Sequence, residues 1–135
     1  MTQWPIEDIP DEHFLYMRLL AAYVVAGEIQ PGCFRAHGSG SSRSISTDWS
    51  KYSTPVDTRK RARSKPAADY GVLAVVVGPV RAIEGLTVEH APIPENQAHT
   101  DVGGAIADEG VDHTEVRERL TAIASLAIRP EQPVE

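Results

Sequence analysis

The chain has little that could cross-link it or hold it in a membrane. It contains one cysteine, Cys33, so no disulfide can form within it. Its most apolar stretch, residues 14–26, is interrupted by Arg18 and is shorter than the roughly 20 apolar residues that span a bilayer. Acidic residues precede this stretch, where a secretory signal would carry positive charge. We therefore expect a cytoplasmic protein with no membrane partner.

Several common architectures and motifs are also missing. Aromatic residues make up only 6% of the chain, so aliphatic side chains must form most of the core. No repeat occurs at periods of about 20 to 50 residues, which excludes solenoids and propellers. The Gly/Ser run that begins at Gly38 lacks the Lys-Ser/Thr ending of a P-loop. The length of the chain fits a single domain over residues 1–135.

Local patterns predict an α+β fold with a small mixed or antiparallel sheet. The β-branched run at residues 72–77 is typical of a strand buried on both faces. Residues 86–90 and 98–102 are two extended runs with a short Pro and Asn loop between them, which predicts a hairpin. Residues 112–128 begin with a capping-box spacing and carry an apolar stripe. This C-terminal amphipathic helix is expected to pack on one face of the sheet.

Other segments are less clearly patterned. Helical spacing of apolar residues predicts a helix at residues 11–22, although strand-forming residues follow it directly. Residues 37–53 are predicted to form a Gly/Ser-rich loop, and Thr54 is expected to cap a helix that ends before Pro66. Residues 1–10 are expected to be extended, with Trp4 or Ile6 in a groove. Residues 131–135 are expected to be disordered.

Charge is unevenly distributed along the chain. The formal net charge is −6, which opposes nonspecific attraction to nucleic acid. Residues 43–65 nevertheless carry a local charge of +5, so the remainder carries −11. This segment has two acidic residues, Asp48 and Asp57, and seven basic ones: Arg43, Lys51, Arg59, Lys60, Arg61, Arg63 and Lys65. Such asymmetry indicates a surface for interaction.

Two stretches resemble segments of a family of small bacterial proteins without an assigned activity. They are STDWSKYSTP at residues 46–55 and VEHAPIPENQAHTDV at residues 88–102. The resemblance implies a bacterial origin, and it brings no activity, cofactor or catalytic residue with it.

Histidines and polar residues gather at the predicted hairpin. If it forms, His90 and His99 could approach each other, with Asp101 on the same face as His99 and Asn96 nearby. Two imidazoles and a carboxylate would suit a divalent metal, or a histidine base oriented by Asp101. His113 could supply a third nitrogen. The alternative is that these are polar residues at loop ends, and their spacing matches no metal motif.

The basic helix is the second candidate site. Arg59, Lys60 and Arg63 would line one side of it, and Trp49 and Tyr52 precede it. Cationic side chains can contact phosphates along a strand, and aromatic rings beside them can stack on bases. The alternative is that the charged helix is only a solvent-exposed face. The charge pattern favours an acidic protein partner over nucleic acid.

The sequence therefore leads to two functional hypotheses. The first is a noncatalytic interaction or accessory protein that engages a partner through residues 46–65 and needs no cofactor. The second is a small His-dependent or metal-dependent hydrolase, of which a nuclease is one form. It would be centred on His90, His99 and Asp101.

Overall fold

A computed structural model describes residues 4–38, 43–108 and 112–135 of the chain. Within these ranges the strands are β1 Phe14–Leu20, β2 Val24–Val25, β3 Glu28–Ile29, β4 Ile45–Trp49, β5 Tyr70–Val76, β6 Leu86–His90, β7 His99–Gly104 and β8 Ser125–Ile128. The helices are α1 Pro55–Lys60, α2 Val77–Ala82 and α3 Thr114–Ile123.

Six of the strands form one antiparallel sheet in the order β6-β7-β4-β1-β5-β8, and β2 and β3 form a small separate hairpin. The predicted α+β class is confirmed. The hairpin expected at residues 86–90 and 98–102 is β6–β7, with Val88 opposite Val102. The β-branched run forms most of β5, which lies between β1 and β8.

One face of the sheet carries the hydrophobic core. Side chains that alternate along the strands point to this face, and α3 contributes Leu120 to the same cluster. Its largest fully buried side chains are those of Trp49, Leu15, Leu73 and Ile106. The expected packing of the C-terminal helix on one face is therefore confirmed. Helix α1 lies on the opposite face, where Arg18 of β1 donates a hydrogen bond to its Thr58 carbonyl at 2.8 Å.

The helix predicted at residues 11–22 is wrong, because β1 occupies Phe14–Leu20. Leu15, Met17 and Leu19 are buried at every second position, and the residues between them are less buried. This period of two fits a strand. β1 pairs with β5 along its whole length and with β4 at Leu15 and Tyr16, and this pairing provides hydrogen-bond partners for its backbone. The apolar spacing of three to four residues was coincidental.

The loop predicted at residues 37–53 must also be corrected. Strand β4 runs through Ile45–Trp49 inside that segment, with Ile45, Thr47 and Trp49 facing the core. The Gly/Ser composition masked a short alternating pattern. Residues 39–42, at the centre of the Gly/Ser run, lie outside the described residues.

The C-terminal helix is shorter than predicted. It ends at Ile123, and the predicted helical residues 125–128 form strand β8, which pairs with β5. The capping box predicted from Asp112 is wrong, because α3 begins at Thr114 with His113 at the N-cap position. The Asp112 carboxylate instead accepts from the Thr114 backbone N–H at 2.9 Å, just before the helix. Residues 131–135, expected to be disordered, include Pro133, whose carbonyl accepts a hydrogen bond from Arg59 at 3.2 Å.

Two further local predictions have mixed outcomes. Thr54 caps α1 as predicted, accepting from the Asp57 backbone N–H at 3.1 Å, but the helix ends at Lys60. In the N-terminal segment the buried residue is Ile9, and Ile6, predicted as a candidate for a groove, is 77% exposed. Trp4 is 36% exposed and donates from its indole nitrogen to the Pro94 carbonyl at 3.4 Å. Every helix within the described ranges is too short or too polar to cross a bilayer.

Candidate functional site

A groove of about 940 Å³ lies on the face of the sheet opposite the core. Its floor is formed by β1, β4 and the start of β7. One wall is the end of α1 and residues 61–65, and the other is the β6–β7 loop around Asn96. Its volume falls within the range of about 300 to 1,000 Å³ that ligand sites occupy.

Strand register explains which side chains reach this groove. Tyr16 of β1 is paired with Asp48 of β4, and Asp48 is paired with His99 of β7. Paired residues share a face, and residues two apart on one strand do as well. Arg18 and Ser46 therefore join these three on the face that points away from the core.

The groove is positively charged in a negatively charged protein. Its lining includes two acidic residues, Asp48 and Glu95, and five cationic ones, Arg18, Arg35, Arg61, Arg63 and Lys65. Three of these cations belong to the basic segment identified in the sequence. The groove therefore favours an anionic ligand, although the whole chain carries −6.

Asp48 is the central hydrogen-bond acceptor of the groove and is 4% exposed. Its Oδ2 accepts from the Thr58 hydroxyl at 2.8 Å and from Arg61 at 2.9 Å, and its Oδ1 accepts from the Asn96 amide at 2.8 Å. Arg61 also donates to the Ser53 hydroxyl at 2.7 Å. One carboxylate thus fixes both walls of the groove relative to β4.

Arg18 differs from Arg61 because no carboxylate holds it. Within the described residues its guanidinium makes one hydrogen bond, to the neutral Thr58 carbonyl, and no ion pair. Burial lowers the pKa of Arg18, and nearby Asp48 opposes that effect. An arginine remains charged in a protein. The floor of the groove therefore carries a half-buried positive charge with free donors.

His99 lies at the edge of the groove with both ring nitrogens near polar groups. Its Nδ1 is 2.9 Å from the Ala91 carbonyl, which can only accept, so Nδ1 carries a proton. Its Nε2 faces the Ser46 hydroxyl at 3.4 Å and Asp101 Oδ1 at 3.7 Å. In the neutral ring Nε2 can accept a proton from Ser46.

His90 does not join His99, so the expected convergence of the two imidazoles is wrong. His90 is paired with Thr100, the neighbour of His99, so the two rings point to opposite faces of the sheet. His90 is 4% exposed, and its ring packs edge-on against Trp49 with the centroids 5.0 Å apart. It accepts from the Glu7 backbone N–H at 3.0 Å and lies 2.7 Å from the Gln97 carbonyl. The His90 side chain is therefore buried, with both of its ring nitrogens in hydrogen bonds.

The metal hypothesis gains no support from the geometry. Across the part of the chain that the structure describes, no group of three or more His, Cys, Asp or Glu side chains is arranged to hold a metal ion. His113 instead has its Nε2 2.7 Å from the Asp108 carbonyl, at the start of α3.

The predicted partner-binding residues are divided by burial. Trp49 is 1% exposed and Arg59 is 2% exposed, so neither lies at the surface in this fold. Arg59 donates instead to the backbone carbonyls of Tyr70, Pro130 and Pro133. Tyr52 is half-buried against Trp49, whereas Lys60 and Arg63 are exposed. Of these five, only Arg63 lines the groove.

Sequence reasoning missed the residues that form the floor of the groove. The helix predicted at residues 11–22 includes Tyr16 and Arg18, and a helix does not explain why they alternate with buried neighbours. The charge pattern identifies Asp48 only as one acidic residue of the segment 43–65. The available signal was a strand pattern with polar residues, Arg18 on β1 and Asp48 on β4, on the face away from the apolar set.

Cys33 also lines the groove, but burial raises the pKa of its thiol to about 12. The thiol is therefore protonated near neutral pH and is a poor nucleophile.

The fold and the groove together define an α+β protein with a six-stranded antiparallel sheet and a cationic groove on its polar face. Comparisons of the chain with protein-family models, with curated proteins and with solved structures find no match.

Proposed function

We propose that the protein is a noncatalytic interaction protein that receives an acidic segment of a partner protein in its groove. The observation that carries this proposal is Arg18, a half-buried guanidinium without a carboxylate partner among the described residues, beneath further cations. A charge in such a place costs free energy of solvation unless an anion meets it. An acidic segment of a partner would provide that anion.

The lining of the groove is suited to a protein partner. Three of the four tyrosines of the chain, Tyr16, Tyr23 and Tyr70, line it together with the arginines. Tyrosine and arginine are enriched among the residues that dominate binding energy at protein interfaces. This concentration stands out because aromatic residues are scarce in the chain.

A protein partner fits the charge distribution better than nucleic acid does. A nucleic acid strand extends its phosphates beyond a groove of this size, and the rest of the chain outside residues 43–65 carries −11. A short acidic segment can place its charges within the groove alone. The lone Cys33 and the resemblance to bacterial proteins support a role in the cytoplasm of a bacterial cell.

The first test is a titration of a labelled twelve-residue Glu/Asp-rich peptide, followed by fluorescence anisotropy. Reversing two groove cations, Arg63→Glu with Lys65→Glu, is expected to weaken binding at least about tenfold, the equivalent of roughly 1.4 kcal/mol. Lys60→Glu is the matched control. It reverses an exposed charge of the same segment outside the groove, so affinity should stay within about twofold.

Two results would count against the proposal. Equal weakening by Lys60→Glu would place the interaction on the outer face of α1 and not in the groove. Tighter binding of a single-stranded oligouridine than of the peptide, lost in the same double variant, would make nucleic acid the partner.

A His-dependent hydrolase is a second candidate, supported by one observation at His99. The Ala91 carbonyl holds the proton on Nδ1, which leaves Nε2 as a base facing Ser46. A serine beside a base can act as a nucleophile. Labelling by a fluorophosphonate probe that disappears in Ser46→Ala and His99→Asn would support this candidate. The absence of labelling at millimolar probe would remove it.

A further inference from the structure

We propose that Arg18 forms a specific subsite for one side-chain carboxylate of the bound segment, with Tyr16 and Tyr70 on either side of it. This inference rests on the proposed function and names the position in the groove where the partner is recognised. The other cations then supply general attraction, whereas Arg18 supplies a directed pair of hydrogen bonds.

The free donors of Arg18 are the first argument. A guanidinium has five N–H donors in a planar fork, and one hydrogen bond to the Thr58 carbonyl leaves the others available within the part of the chain that the structure describes. A fork of this kind matches two carboxylate oxygens at once. Arg18 also lies on the floor, where its backbone is paired with Val72 of β5.

The nearest acidic side chain does not take this role. Asp48 already accepts hydrogen bonds from Thr58, Arg61 and Asn96 through both carboxylate oxygens. It remains close enough to oppose the lowering of the pKa of Arg18, but no ion pair within 4.0 Å joins the two. Asp48 thus offsets part of the positive charge without occupying the fork.

The tyrosines define the sides of the subsite. Tyr16 precedes Arg18 by two residues on β1 and shares its face. Tyr70 is paired with Leu20, the next residue of that face, so it lies on the neighbouring strand at the other side of Arg18. Both rings are half-buried, and burial raises the pKa of Tyr16. Their faces can cover the methylene groups of a glutamate while its carboxylate meets the guanidinium.

The test uses the full chain and the same acidic peptide, with Arg18→Met and Arg18→Lys. Methionine is similar in length but uncharged, and lysine keeps the charge but lacks the fork. Binding is expected to weaken at least about tenfold in Arg18→Met and by about three- to tenfold in Arg18→Lys. The melting temperature of Arg18→Met should be no lower than that of the wild type, because an unpaired half-buried charge has been removed.

The peptide provides a second, independent readout. Each Glu is changed to Gln in turn, and the position that occupies the subsite should lose affinity in the wild type but not in Arg18→Met. Arg18 has a structural role instead if Arg18→Met binds more weakly, melts at a lower temperature and shows no Glu position whose change to Gln weakens binding to the wild type alone. If Arg18→Met binds like the wild type while Arg63→Glu with Lys65→Glu does not, the subsite is wrong and the proposed function stands. If neither variant matters, both are wrong.

Discussion

Asn96 donates its side-chain amide to Oδ1 of Asp48 at 2.8 Å, joining the β6–β7 loop to strand β4. The same carboxylate accepts from Arg61 at 2.9 Å, which joins the end of α1 to the same strand. The two walls of the groove are therefore positioned by one buried side chain. This explains how a short basic segment and a loop that are distant in the sequence form a single surface.

Replacing Asp48 should destabilise the fold strongly. Asp48→Ala removes a buried carboxylate that accepts hydrogen bonds from the side chains of Thr58, Arg61 and Asn96. We expect the free energy of unfolding in urea to fall by about 3 kcal/mol with an unchanged m-value. Glu118→Ala, at an exposed position of α3, is the control and should change stability by less than about 0.5 kcal/mol. A loss below about 1 kcal/mol for Asp48→Ala would contradict this role.

Arg59 is expected to act in stability and not in binding. Arg59→Lys keeps the charge but cannot reach the carbonyls of Tyr70, Pro130 and Pro133 together. The loss should be about 1–3 kcal/mol, with faster hydrogen exchange at Gln132. The neighbouring exposed Lys60→Ala should leave both measurements unchanged. If Arg59→Lys has wild-type stability but binds the peptide more weakly, Arg59 acts in binding and this prediction is wrong.

Gly104 lies at the end of β7, opposite Leu86 and away from the β6–β7 loop, in a conformation that other residues avoid. Its φ is +85°, and a Cβ there would lie 2.1 Å from the Gly85 carbonyl oxygen. Gly104→Ala should therefore cost more than about 3 kcal/mol. Gly27→Ala is the matched control, because φ is +79° but the surrounding space is open, so only about 1–2 kcal/mol should be lost. Equal costs for the two variants would show that the close approach does not matter.

The contribution of the N-terminal segment to the free energy of unfolding should fall at low pH. Glu7 accepts hydrogen bonds from Lys51 and Tyr52, and these hold the pKa of Glu7 below its usual range. The resulting stabilisation is present above the pKa of Glu7 in the unfolded chain. It is lost as pH falls through the lowered pKa in the folded chain.

The measurement for this prediction is the urea midpoint of Glu7→Gln against the wild type. The variant should be less stable at pH 7, and the difference should vanish in acid. Glu12→Gln, at an exposed position, should match the wild type at both pH values. A difference that persists unchanged to pH 2 would mean that the charge of Glu7 is not the cause.

The elements that the sequence predicted well are those with a single dominant pattern. The β-branched run of β5 and the hairpin with Val88 opposite Val102 needed only local signals. Strand β1 was missed because its apolar residues fit both a period of two and a helical spacing, and pairing with β4 and β5 decides between them. Residues 125–128 likewise continue a helical stripe but gain a strand partner in β5.

The groove could be predicted only in part for a related reason. The local excess of positive charge was visible, but its position depends on register. Pairing of Asp48 with Tyr16 and His99 brings distant polar residues to one face of the sheet. His90 is paired with Thr100, the residue after His99, so its side chain points to the core face. No local pattern could separate the two histidines without that register.

The most direct measurement of the central claim is the mapping of backbone amide chemical shifts by NMR during titration with the acidic peptide. The account predicts that perturbed amides cluster at the groove, around Tyr16, Arg18, Asp48 and His99, and that the amides of α3 are unaffected. Perturbations confined to the outer face of α1 or to the edge of β8, or none at a saturating concentration of peptide, would contradict it.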